Sequence, residues 1–313
     1  MTAAGIINPV TGRRYVKSWR IEEFLPFAVR TYRDLEEELG IEFFYRRNII
    51  RSLFNSGEEN DWWARAEQPE YQKYLVAEPD ADKIRAKTAK IYGYGEVTNA
   101  YQTDLRRLLP AYREKLESDG KILSEKFAFA DLQLTQNGVL YRRFTADKII
   151  FCDGEAASRN PFWSYLPWNG AKGEVLLVRI PDADFIKMFK YRIFIVPLPE
   201  KDLYWVGSKY DWNYTDNQPS EEGKSYLRER LRDALTVPFE VVAHRAAVRP
   251  TVKDRRPYLG LHPQFSQVGI FNGLGTKGAS LAPFFAKQMS DFLIENSEID
   301  PAVDVRRCKF IQI

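Results

Sequence analysis

The run from Val268 to Glu295 constrains this chain most. Val268–Asn272 is apolar and predicts a strand, and Gly273, Gly275 and Gly278 follow it at once. Leu281, Phe284, Phe285, Gln288, Phe292 and Leu293 then recur at three-to-four spacing, which predicts a helix over 278–295. A strand entering a helix through glycines can do chemistry. The glycines let a ligand approach the backbone, and the N–H groups of the helix start attract negative charge, to which Lys277 adds. The same three glycines also serve in a plain tight turn, so both readings stand.

Elsewhere the chain alternates. Phe24, Leu25, Ala28, Tyr32, Leu35 and Leu39 predict a helix over 21–39 that Gly40 stops. Residues 41–53 read as strand, and 58–89 as short helices and loops. A second helix is predicted from 103 or 104 to 119, with Pro110 as a kink or as its true start. Strands are predicted at Lys121–Asp131, Gly138–Phe144 and Lys148–Cys152, the last two divided by a turn at 145–147. Beyond Pro161 the chain is β-rich. It has strands at 173–180, 192–197 and 203–209, a polar helix at 220–235 and a strand at 239–248.

The fold class is therefore α/β (α+β), in two domains made of interleaved segments. One takes 1–40, 96–160 and 246–313. The other, a β-rich layer, takes 41–95 and 161–245.

Composition narrows the function. There are 46 basic and 43 acidic residues in 313, a net charge of +3, which argues against nucleic-acid binding by bulk charge. Two cysteines, Cys152 and Cys308, and two histidines, His244 and His262, exclude a disulfide scaffold and leave no ligand set for zinc or iron. No apolar run approaches the ~18–20 residues of a membrane span, and no signal-peptide pattern is visible, so the expected location is cytoplasmic. Gly93-Tyr-Gly-Glu-Val lacks the third glycine of a dinucleotide fingerprint, and Ser280 has no nucleophile elbow around it.

Two further stretches are candidates for chemistry. Cys152-Asp153-Gly154 closes an apolar strand, where ligands of α/β sheets sit, although a simple strand-ending turn explains it as well. Cys152 is expected to be a small buried residue rather than a nucleophile, since no histidine is near to activate it. Arg249, in Val248-Arg249-Pro250 with Asp254-Arg255-Arg256-Pro257 behind it, ends a strand; its guanidinium forks onto a carboxylate or lies on the surface.

In their order and spacing these pieces resemble the flavin-dependent oxidoreductases of the D-amino acid oxidase and glycine oxidase superfamily. The resemblance covers nearly the whole chain. It implies FAD as cofactor and a small-molecule amine or amino acid as substrate, with hydride taken from a C–N bond. By resemblance Ala4, Gly5 and Ile6 pass beside the flavin, and Phe127 falls where the adenine end is held. Cys152, Asp153 and Gly154 lie near the cofactor, and Gly273, Gly275, Thr276, Lys277 and Gly278 face the flavin. Arg249 is implied to hold the substrate carboxylate, and Lys277 the N1/C2=O side of the flavin. Composition and hydropathy give the expectation of no metal, no nucleic-acid partner and no membrane span, and the oligomeric state stays open.

Two departures accompany the resemblance. The family's opening strand, G-x-G-x-x-G, helix and acidic residue are not in this sequence, and the expectation is a truncated or mis-started chain. Phe194 stands where amino-acid oxidases often place a tyrosine that helps hold the carboxylate. The missing phosphate-binding unit motivates a rival reading, a flavin-free truncated homologue acting as a binding or structural protein.

Overall fold

The structure, a computed structural model, describes residues 2–309. It divides into two compact units, one from 2–112 and 172–247, the other from 113–171 and 248–309.

The first unit carries a mixed sheet of eight strands. Their order is Glu240–Arg249, Ala171–Arg179, Leu203–Asp211, Phe194–Pro197, Met188–Lys190, Ile49–Leu53, Gly93–Val97 and Leu75–Val76. Met188–Lys190 and Ile49–Leu53 run parallel, and Phe194–Pro197 forms an antiparallel hairpin with Leu203–Asp211. One sheet face packs Ile50, Leu176, Phe189, Ile195 and Val206 against Leu227 and Leu231 of the helix Glu221–Ala234. Ser220 caps that helix by accepting from the Gly223 N–H at 3.0 Å. The helix Ile21–Leu39 ends at Gly40 in the left-handed region, φ 63°, whose N–H bonds to the Glu36 carbonyl.

Gly95 is one of the two glycines of the incomplete fingerprint. It lies in the strand Gly93–Val97, where a Cβ would collide with the Trp62 indole. The glycine makes room for a buried tryptophan.

The second unit holds a three-stranded sheet in the order Ile149–Phe151, Val268–Asn272, Tyr258–Leu261. Its core is Phe151, Trp163, Leu166, Val252, Tyr258, Val268, Ile270 and Val305. The helix Gly278–Glu295 buries Leu281, Phe285 and Met289, as the 3.6-residue period requires.

Three sequence expectations need correction, and one open alternative, at Pro110, is settled. Residues 121–131 form no strand; a 3-10 turn occupies Phe129–Asp131. That segment is held by ring packing instead of a ladder, with Phe127 stacked on Tyr141 at 4.5 Å and Phe129 on Phe151 at 5.8 Å. The expected turn at 145–147 falls at Arg142–Arg143, because Tyr141 pairs with Phe144 across a two-residue loop. Arg142 takes φ 54° there, held by 2.7 Å contacts to Glu125 and Asp131, so an arginine does what glycine usually does. The strand read over 41–53 is two strands, Phe44–Arg46 and Ile49–Leu53. Pro110 lies inside the helix Leu105–Ser118 and does not start it.

Candidate cofactor and substrate site

In the second unit Ile149–Phe151 and Val268–Asn272 pair in parallel, Ile149 beside Val268 and Phe151 beside Ile270. Their carboxyl ends therefore open side by side, which is where ligands of α/β sheets bind. Two stretches far apart in sequence meet there. Asn272 donates through Nδ2 to Asp153 Oδ1 and to the Gly154 carbonyl, both at 3.0 Å, and its Oδ1 accepts from the Gly273 N–H at 2.7 Å. The other Asp153 oxygen accepts from Asn160 Nδ2 at 2.9 Å. Asn160 and Asn272 are both buried. Asp153 is thus a brace that fixes two glycine turns to each other.

The glycines are there for conformation. Gly154, Gly273 and Gly275 take φ of 59°, 78° and 55°, a region that penalises any side chain. A Cβ on Gly273 or Gly275 would also crowd Val252 or Thr251 at 3.0 Å, whereas Gly154 has open space in front of it. After a 3-10 turn over Gly275–Lys277 the helix Gly278–Glu295 begins with no side-chain cap. Its first-turn N–H groups carry the positive end of the helix dipole.

Lys277 sits at that helix start, partly buried, and no carboxylate pairs with it among the described residues. Burial first, then the charges of Arg256 and Arg255, hold its ammonium below the ordinary lysine value. Thr276 is exposed beside it. Uncompensated positive charge, an uncapped helix and an open glycine together suit an electron-rich, partly anionic edge.

Cys152 is exposed and so corrects the expectation of a small buried residue; Phe151 before it faces the core. Desolvation and then the Asp153 charge raise its thiol, so it is not an activated nucleophile. Phe127 is partly buried and stacks on Tyr141.

Ala4, Gly5 and Ile6 belong to the first unit. Gly5 is buried at φ 69°, its carbonyl accepts from the Thr103 N–H at 2.9 Å, and a Cβ there would collide with the Thr103 carbonyl. Close strand approach demands glycine at this position whether or not a ligand passes. Arg249 is the last residue of the strand Glu240–Arg249, half-buried, with Pro250 ending the ladder behind it. Phe194 begins the strand Phe194–Pro197.

Sequence reasoning did not single out Asn272 or Asn160. The available signal was a polar residue closing an otherwise apolar strand, which when buried needs a partner. Among the described residues no group of three or more His, Cys, Asp or Glu could hold a metal, and no helix is long and apolar enough to cross a membrane.

Residues 2–292 match the sequence pattern of the family described as FAD dependent oxidoreductase, DAO. The chain belongs to that family. Its curated relatives include the glycine oxidases of Pseudomonas aeruginosa, 26% identical over 162 residues, and Bacillus subtilis, 31% identical over 149 residues. Those alignments take in 50% and 44% of this chain, and this chain spans only 44% and 39% of the two relatives' lengths. Among solved structures, glycine oxidase from Geobacillus kaustophilus superposes with a TM-score of 0.77 at 21% identity, over 95% of this chain and 84% of that one. Iminodiacetate oxidase from a Chelativorans species gives 0.74 at 18% identity, over 96% and 87%. The shared fold is a mixed α/β architecture with a large mixed sheet. The family's cofactor is FAD.

Proposed function

We propose that this chain is an FAD-dependent oxidoreductase acting on a C–N bond of a small amine or amino acid, in the cytoplasm. The observation that carries this is the Asn272–Asp153 brace, which sets two ligand-permissive glycine turns together beside Lys277, a cation with no carboxylate partner among the described residues. On this reading residues 1–40, 96–160 and 246–313 serve the flavin, and 41–95 and 161–245 serve the substrate.

When bound, FAD supplies the hydride acceptor. The chain's own task is holding and orienting. Gly154, Gly273 and Gly275 would give the cofactor close access to backbone, and Gly278 opens the helix whose N–H groups would meet it. Lys277 would set positive charge toward the flavin's N1/C2=O edge. Arg249 holds the substrate carboxylate through its two-point fork, fixing the C–N bond in one orientation. The family resemblance assigns Ala4, Gly5 and Ile6 to the side of the flavin and Phe127 to its adenine end. Orientation, not acid–base chemistry, carries most of such a reaction, so two histidines in the whole chain suffice.

The flavin-free reading is not favoured, since the family match runs over 2–292. The test is anaerobic mixing of the FAD-loaded chain with a panel of amino acids and amines, watching the visible flavin band. Bleaching by at least one compound, weakened in Arg249→Met, is expected. A band that no compound bleaches contradicts the reading.

A further inference from the structure

The sheet of the first unit has a face away from its core. Cross-strand register lines up Val175, Gly207, Phe194, Lys190, Arg51 and Gly95 on that face. Their sequence neighbours Leu176, Val206, Ile195, Phe189 and Ile50 point the other way, into the core. Lys190 and Arg51 are directly paired across two parallel strands, a like-charge pairing that costs stability.

Among the described residues no carboxylate forms an ion pair with either cation. Lys190 Nζ lies 4.5 Å from the Phe194 ring centre and donates to the Arg192 carbonyl at 2.9 Å. Arg51 lies over the Tyr15 ring at 4.7 Å. Tyr15, which hydrogen-bonds Arg51, and the Glu58 carboxylate, whose Oε2 accepts from the Phe54 N–H at 3.0 Å, offset only part of what burial costs Arg51. Burial, then the Arg51 charge, brings the Lys190 ammonium down to about 8, and burial also lowers Arg51. Two desolvated cations with no ion-pair partner among the described residues, on strands assigned to the substrate side, are what an anion site requires.

We propose that Lys190 and Arg51 form an anion subsite on the substrate sheet, so that the substrate is an amino or imino acid with a second acidic group. The proposal rests on the oxidoreductase reading, in which the Phe194 strand belongs to the substrate side.

The experiment is calorimetric titration of the chain with succinate and with butyrate, of similar length but two carboxylates against one. FAD uptake is recorded on the same samples. Succinate is expected to bind at least about tenfold more tightly than butyrate, the scale of one charge-assisted hydrogen bond. Lys190→Gln should erase that preference and Lys190→Arg restore it. Equal binding of the two acids by the wild-type chain, or an unchanged preference in Lys190→Gln, overturns the proposal. FAD uptake without succinate preference overturns the subsite alone; succinate preference lost in Lys190→Gln without FAD uptake sustains the subsite and removes the oxidoreductase reading.

Discussion

Asn272 donates its side-chain amide to Asp153 at 3.0 Å, across 119 residues of sequence, and so ties the carboxyl ends of two parallel strands together. Three hydrogen bonds converge on this one buried amide. Asn272→Ala should cost about 2–3 kcal/mol, because it strips a donor from the Asp153 carboxylate and leaves buried groups unmatched. Urea denaturation measures it. An unchanged midpoint would mean that the brace contributes nothing.

Gly5→Ala should destabilise the chain by at least about 2 kcal/mol, from the left-handed backbone and the collision with the Thr103 carbonyl. The loss should already be present without added FAD. A variant as stable as the parent but unable to take up FAD would place the role of Gly5 in the cofactor instead.

Lys190 predicts a pH dependence. Burial first, and then the Arg51 charge, lowers its ammonium on folding from the ordinary 10.5 to about 8. Between those values the unfolded chain binds the extra proton, so the contribution of Lys190 to stability rises as pH climbs from about 8 toward 10.5. Below pH 8 the cost is at its full size. Lys190→Met should therefore be more stable than the parent at pH 7, by about 2–3 kcal/mol, with the gap closing by pH 10. Denaturation midpoints of the two chains at pH 7, 8, 9 and 10 check this; a gap that does not change with pH would refute it.

Arg249→Lys keeps the charge but removes the two-point fork. For a substrate bearing a carboxylate, KM should rise about 10- to 100-fold, with a smaller effect on kcat. For an amine lacking a carboxylate neither should move. Equal losses on both substrates would show that Arg249 does not read the carboxylate.

What was legible in the sequence was local. The helix over 21–39 ends where Gly40 can take a left-handed conformation, and the strand and helix of 268–295 appear where their periods change from two to 3.6. The Arg142 loop escaped because its left-handed residue is an arginine held by Glu125 and Asp131, neither of which is a turn signal. Residues 121–131 misled because their aromatic rings pack on Tyr141 and Phe151 without a ladder. Glycines were read for what they permit, but Gly95 answers to Trp62 and Gly5 to Thr103, partners that only the fold supplies. The Asn272 brace and the Lys190–Arg51 pairing are likewise facts of register between distant strands. Helical period and turn chemistry do not encode them.

The central claim is that Lys277 and the braced glycine turns hold a flavin. The visible absorption spectrum of the purified chain, titrated with FAD and repeated on Lys277→Met, tests it most directly. The account predicts shifted, resolved flavin bands that survive gel filtration with the parent chain, and weaker uptake by Lys277→Met. A spectrum of free FAD throughout, with all the flavin lost on the column, would contradict it.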